Sequence, residues 1–320
     1  MKVSVVTPNY NGRKFLKPYF NGLKANSKYI GEVIIVDNGS DDDSLELVRQ
    51  LKSEVEFNVV TIENSENLGF AEAVNQGIEK SSFDYIFSLN NDTELQENAV
   101  LELLKFISSD EKIFSVSSKM LQADNPDLID DAGDQYTLLA YTKKRGDGKP
   151  SDQFNESCEV FSSCAGAAIY RKSVLNEIGL FDKKFFAYME DVDLSYRARI
   201  NGYRNYYCPD SVVLHKGSGT TGSRYNEFKI RTAARNNVWV VYKNMPIPQK
   251  VFNIFWLVLG FMIKYAFFAM KGQGKTYKEG LNEGLAKRNE ISKVKFNSKN
   301  TGNYFRIEWE LIKNTFNLLR

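Results

Sequence analysis

The sequence predicts an α/β fold: a doubly wound, mostly parallel sheet followed by a helical C-terminal extension. Three observations carry this. Short apolar runs rich in β-branched residues alternate with helix-period segments through the first hundred residues. Small polar residues collect at the ends of those runs, where ligands of open α/β sheets bind. From about Lys250 the pattern becomes helical and apolar.

In chain order, "VSVVTP" (3–8), "EVIIVDN" (32–38), "NVVTIEN" (58–64) and "DYIFSLNND" (84–92) read as buried strands. Between them Arg13–Ala25, Ser44–Leu51 and Phe70–Lys80 read as helices, and right-handed crossovers follow. The strand ends Thr7–Asn9, Asp37–Ser40, Asn64–Asn67 and Asn90–Asp92 are expected to line one crevice. A helix is expected over Glu94–Phe106. The middle, about 113–242, adds the strands "FSVSSKM", "AGAAIYR" and "SVVLHK". The polar stretch 142–157 reads as a loop. This gives a body over 1–242, halved near 112, and a basic, apolar helical region over 243–320.

At 320 residues, 42% hydrophobic and 26% charged, the chain can bury a sizeable core. The net charge of +2 hides an asymmetry. From Lys243 onward 14 Lys/Arg stand against 5 Asp/Glu, or +9, which leaves −7 on residues 1–242. A basic tail on an acidic body suggests an anionic surface as partner, against a plain solvated helix pair. Cys158, Cys164 and Cys208 are odd in number and form no CxxC pair, which fits a reducing compartment. "MKVSVVTPNYN" runs directly into a strand without a secretory apolar region, so a cytoplasmic body is expected. No nucleic-acid partner is expected.

Each motif has a structural reading beside a functional one. Asp37 in "IIVDNGSDDDS" could receive a nucleoside, while Asn38-Gly39 makes a turn and Ser40 or Asp41 caps a helix. Asn67 and Gly69 in "ENLGFAEAVNQGI" open a helix whose amides could face an anion; both are also ordinary capping residues. Asn90, Asn91 and Asp92 offer one carboxylate and two carboxamides, suited to a hard divalent cation, but Asp92 and Thr93 are also good helix caps. In "YMEDVDLSYR" the crowded acids Glu190, Asp191 and Asp193 start a helix that Gly202 stops. The helix dipole alone favours such acids by about 0.3–1 kcal/mol each. His215, the chain's single histidine, ends an apolar strand; a lone histidine is more often structural, but with Asp92 it would make a metal site.

Taken in order, "VSVVTPNYN", "IIVDNGSDDDS", "ENLGFAEAVNQGI", "LNND", "FFAYMEDVDLSYRARINGY" and "VVLHKGSG" resemble family 2 glycosyltransferases, in particular their bacterial rhamnosyltransferase-like branch. The likeness runs from about residue 3 to 242. It implies a GT-A fold and inverting transfer of a sugar from a nucleoside-diphosphate donor, dTDP-rhamnose before UDP-hexoses. The acceptor would be a glycan or polyprenyl-linked glycan, in cell-surface polysaccharide synthesis. On this resemblance Thr7, Pro8, Asn9 and Asp37 hold the nucleoside. Asn67, Gly69, Asn90 and Asn91 also line the donor site. Asp92 closes the family's DxD position, whose first aspartate is here Asn90. Asp191 matches the general base, with Glu190 orienting it. His215 falls where relatives place a further ligand of Mg²⁺ or Mn²⁺, and Arg235-Asn236 matches a pair expected near diphosphate or acceptor. The rivals are a nucleotidyltransferase, for which "TPNYNGRKF" is a poor phosphate loop, and a non-catalytic sugar-nucleotide or glycan binder.

The C-terminal segment "VFNIFWLVLGFMIKYAFFAMK" suggests a span, yet Lys250 and Lys264 bracket only 13 uncharged residues, short of the roughly 20 required. At about 100° per residue Asn253, Lys264 and Lys271 fall within about 20° of one another, and Lys250 within about 60°. Gly260 shares this stripe and Leu257 intrudes on it. A narrow polar stripe on an apolar helix suits a helix lying in a membrane interface, at the inner face of the cell membrane. Phe305, Trp309, Ile312, Phe316 and Leu319 share a face on the last helix. The alternative is that both apolar faces pack on the body or in a homodimer.

Overall fold

The computed structural model describes residues 1–217 and 226–318. In chain order the strands are β1 Val3–Asn9, β2 Ile30–Asp37, β3 Asn58–Glu63, β4 Tyr85–Leu89, β5 Thr93–Leu95, β6 Ile113–Gln122, β7 Asn125–Asp131, β8 Asp134–Tyr136, β9 Thr142–Lys144, β10 Cys158–Val160, β11 Ala167–Arg171 and β12 Arg204–His215. The helices are α1 Arg13–Ala25, α2 Ser44–Lys52, α3 Phe70–Lys80, α4 Ala99–Ser108, α5 Lys172–Ile178, α6 Glu190–Ile200, α7 Glu227–Asn244, α8 Ile247–Phe252, α9 Ile254–Met270, α10 Gly274–Ala286 and α11 Thr301–Leu318.

The main sheet runs β3-β2-β1-β4-β11-β6-β12-β10, with β5 on β12 and β7 on β6. Its first four members are parallel, as the alternating strand and helix patterns require. β11 then enters antiparallel between β4 and β6, making the sheet mixed. The pleat divides the core by odd and even positions. Val5, Val33 and Ile35 pack with Leu16, Phe20 and Leu103 on one face; Val6, Ile34 and Val36 pack with Val74, Ile78 and Leu194 on the other.

Two elements differ from the sequence expectation. The helix expected from Glu94 starts only at Ala99, after Asn98 in the left-handed region (φ 63). Thr93–Leu95 instead pairs with Val213–His215, a partner more than a hundred residues away that no local pattern reveals. The loop expected over 142–157 opens with β9, which forms a ribbon with β8. The expected division at 242 falls in the last turn of α7. A core cluster joins Tyr136, Tyr196 and Trp239 of the body to Leu257, Ile307 and Leu311 of the C-terminal helices.

Candidate active site

The carboxyl ends of β1, β2 and β4 meet through side chains. Asn91 donates to Asn9 Oδ1 (2.6 Å), and Asn9 donates in turn to Asp37 Oδ1 (2.7 Å). Ser40 adds its hydroxyl (2.6 Å) and its backbone N–H (2.9 Å) to Asp37. Asp37 is thus a fixed carboxylate at the crevice, as parallel strands ending together dictate. Thr7 is buried with its hydroxyl against Tyr19, which leaves half-buried Pro8 nearer the surface. Asn67 accepts from the N–H of Gly69 (2.9 Å), a turn that starts α3. Gly69 has φ 88, and a Cβ there would lie 2.6 Å from Phe186, so its glycine serves a close approach between two loops.

At the other end of the crevice, Asp92 follows β4 and His215 ends β12. β5 brings them together by pairing Thr93 with His215. His215 Nε2 stands 3.4 Å from Asp92 Oδ1, and Nδ1 is 2.8 Å from Asp130 Oδ2. Burial works against an imidazolium here, but the hydrogen bonds to Asp130 and Asp92 outweigh it and lift the His215 pKa to about 9. Asp92 caps no helix, and Asn90 donates its backbone N–H to Gly166 (2.9 Å). The glycine-rich stretch after His215 lies outside the described residues from 218 to 225.

The three acids at the start of α6 have separate fates. Asp193 is fully buried and meets Arg197 (3.0 Å), Lys243 (2.9 Å) and Asn244 (2.8 Å). Burial alone would raise its pKa; Arg197 and Lys243 hold it below the usual carboxylate value. Glu190 is buried with one oxygen unpartnered, and burial and the adjacent Asp191 push its pKa well up. Asp191 alone of the three is only half-buried. It accepts the N–H groups of Val192 (2.8 Å) and Ala165 (3.4 Å), while burial raises its pKa against their pull. A carboxylate with a raised pKa and an open side is equipped to take a proton.

Arg235 and Asn236 bond the loop before α6. Asn236 is fully buried and donates to the carbonyls of Phe185 (2.9 Å), Ala187 (2.9 Å) and Tyr188 (2.7 Å). Arg235 bonds Phe185 O (3.0 Å) and Asn236 Oδ1 (2.9 Å) and covers the Trp239 ring. With its two amide hydrogens spent on three carbonyls, Asn236 braces the loop before α6 from below. That loop holds Phe186, Tyr188 and Met189 at positive φ, a strained path that needs such support.

An acidic group that sequence reasoning passed over completes the site. Asp131, Asp134 and Cys164 each place a ligating atom within 4.8 Å of the others. Burial lifts Asp131 to about 6 and Asp134 and the Cys164 thiol well above their usual values. Lys144 faces them from β9 and bonds Asp130 (3.1 Å); Asp131 and Asp130 outweigh its desolvation and raise its pKa. The visible signal was "DDAGD" (130–134), three acids around a glycine at a strand end.

A mixed sheet with a parallel half, carrying Asp37, Asp92 and His215 at or just beyond its strand ends and backed by the acidic start of α6, has the architecture of a GT-A glycosyltransferase. Solved structures agree in fold. Staphylococcus aureus TarS 1-349 in complex with UDP-GlcNAc aligns with TM-score 0.60 at 18% identity, covering 89% of this chain and 81% of that one. The mannosyltransferase PcManGT from Pyrobaculum calidifontis, in complex with GDP-Man and Mn²⁺, aligns with TM-score 0.57 at 14% identity, covering 90% and 86%. The chain belongs to glycosyl transferase family 2, whose profile matches residues 4–179. It is 25% identical to the poly-beta-1,6-N-acetyl-D-glucosamine synthase of Staphylococcus aureus over 62% of this chain and 46% of the relative, so it spans about half the length of the first curated relatives it matches. It is also 25% identical to the O-antigen chain rhamnosyltransferase RfbN of Salmonella typhimurium, over 71% of this chain and 70% of that one.

Proposed function

We propose that this protein is an inverting, divalent-metal-dependent glycosyltransferase that moves a sugar from a nucleoside diphosphate to a hydroxyl of a glycan or lipid-linked glycan during cell-surface polysaccharide synthesis. The observation that carries the reading is Asp191: of three crowded acids it alone keeps an open side, at a helix start braced by Asn236. The similarity to RfbN favours a dTDP-sugar such as dTDP-rhamnose as donor, with UDP-hexoses second.

The residues fit a divalent cation. Asp92 and His215 Nε2 face each other, and Asp130 backs the other ring nitrogen, the arrangement that orients an imidazole ligand. Mg²⁺ or Mn²⁺ held there would offset charge on the departing diphosphate. Asp37, fixed by Asn9 and Ser40, receives the nucleoside. Asp191 takes the proton of the acceptor hydroxyl as that oxygen bonds the anomeric carbon. The bond from that carbon to the diphosphate breaks at the same time, and its electron pair leaves with the diphosphate. A single displacement of this kind inverts the anomeric centre.

The test is nucleotide release from a panel of sugar nucleotides, with and without acceptor. Asp191→Asn is nearly isosteric, so donor affinity is retained while transfer falls about 10²–10⁴-fold. Near-normal turnover in that variant would remove Asp191 from the reaction.

A further inference from the structure

The helix α9 is mounted inside out. Its polar stripe, expected to face solvent or headgroups, is turned toward the protein from Asn253 to Lys264, and only Lys271, just past the helix, stays exposed. Asn253, at its start, is fully buried and donates to Glu308 of α11 (2.9 Å). Leu257 and Gly260 are the helix's buried residues. A Cβ at Gly260 would lie 2.1 Å from the carbonyl oxygen of Leu139, so only glycine lets the helix seat there. Lys264 reaches the carbonyl of Ala140 (3.2 Å) and covers the Tyr141 ring. The aromatic and aliphatic side of the helix is left pointing out. Phe252 is 75% exposed, Phe255 67%, Met262 63% and Met270 82%, with Ile254, Val258 and Ile263 between them also exposed. On α11, Phe305 and Trp309 are exposed as well, and Glu308 between them in sequence accepts from Gln249 and Asn253.

We propose that this face docks the protein on an anionic lipid bilayer, with α8 and α9 lying in the interface and α11 beside them. Exposed apolar patches of this extent mark interaction surfaces, and charge selects the occupant. Lys250 precedes the helix, while Lys271, Lys275 and Lys278 follow it, within a region carrying +9. Two copies meeting through this face would bring like charges together, whereas anionic headgroups complement them. The Lys271 ammonium lies over the Phe267 ring at 5.1 Å, its stem along the apolar surface, as cationic side chains at an interface do. Among the described residues no helix is long and apolar enough to cross a membrane, so the contact is with the surface. The seat also has a consequence for the site. Leu139 and Ala140 lie in the turn of the β8–β9 ribbon, whose strands carry Asp134 and Lys144. The docked helix therefore holds the turn of the ribbon whose other end carries Asp134 and Lys144.

The inference does not depend on turnover, and flotation tests it. Full-length protein should float with phosphatidylglycerol–phosphatidylcholine vesicles and at least about tenfold less with phosphatidylcholine alone. The combined variant Phe252→Asp, Phe255→Asp, Met262→Asp alters exposed positions and should keep its circular dichroism and melting temperature while losing flotation. The variant Lys271→Glu, Lys275→Glu, Lys278→Glu should lose the preference for anionic vesicles. Native protein that stays at the bottom with every vesicle, or floats equally with neutral ones, overturns the proposal. So does a native dimer that the three-aspartate variant converts to monomer without any flotation by the native form; the face would then join two copies.

Discussion

His215 Nδ1 lies 2.8 Å from Asp130, which leaves Nε2 as the ring nitrogen that faces Asp92. At the proposed metal site Asp130 would thereby set which nitrogen is offered to the cation while staying on the far side of the ring. Asp130→Asn should raise the Mn²⁺ or Mg²⁺ concentration needed for half-maximal transfer about 10–100-fold, with maximal rate largely recovered at saturation. His215→Ala and Asp92→Ala should raise it further. Metal titration of chelator-stripped protein reads this directly, and full activity in chelator would remove metal from the reading.

Asp193 tests the division of labour at the start of α6. Its carboxylate joins Arg197 and Lys243, both buried, so Asp193→Ala leaves Arg197 without its anion and Lys243 with Asp182 alone (2.8 Å). The expected loss is about 3–5 kcal/mol of stability. The folded pKa lies below the unfolded value of 3.8, so this stabilisation is present above about pH 4 and is lost as pH falls through the folded value. Chemical denaturation at neutral and acid pH should show the wild-type advantage over Asp193→Ala shrinking as the pH drops. A variant as stable as wild type at neutral pH would show the cluster to be dispensable.

These residues also show what could be read in advance. Local signals were sufficient where the chain decides locally. Arg13–Ala25 and Phe70–Lys80 have the expected bounds, Gly202 stops α6 at φ 85, and hydrogen bonds join the ends of β1, β2 and β4. What escaped depends on distant partners. Thr93–Leu95 becomes a strand only because β12 lies beside it. Asn236 becomes a brace only because the carbonyls of 185–188 converge on it. The polar stripe of α9 was legible as a stripe, but periodicity cannot say which side faces the protein. The last helix shows the same limit. Phe305, Trp309 and Phe316 are exposed, Ile312 packs on the core, and Leu319 lies outside the described residues.

The Asn236 brace makes a kinetic prediction. Asn236→Ala removes hydrogen bonds to three carbonyls of a loop that holds Phe186, Tyr188 and Met189 at positive φ. The helix start carrying Asp191 then loses its fixed position. Misplacing a reactive group by about an ångström costs up to about 10²-fold, so kcat should fall by that order. Donor affinity by calorimetry should change little, because the Asn9–Asp37 end of the crevice is untouched. A large loss of donor affinity with kcat preserved would instead return Asn236 to the donor site.

Lys264 supplies a pH test of how α9 is seated. Its ammonium leaves solvent to reach Ala140 O, and desolvation lowers its pKa from 10.5 to about 7. Between those values the unfolded chain holds a proton that the folded chain lacks. Unfolding therefore takes up a proton, and native stability rises with pH across this window. Lys264→Met keeps the length of the side chain and discards the amine. The variant should exceed wild type in stability near pH 7, and the difference should close as the pH approaches about 10. Urea midpoints of the two proteins across that range measure it, since every other titrating group is common to both. A constant difference at all pH values would mean that the Lys264 ammonium remains charged and solvated, and that α9 is held to the ribbon by Leu257 and Gly260 alone.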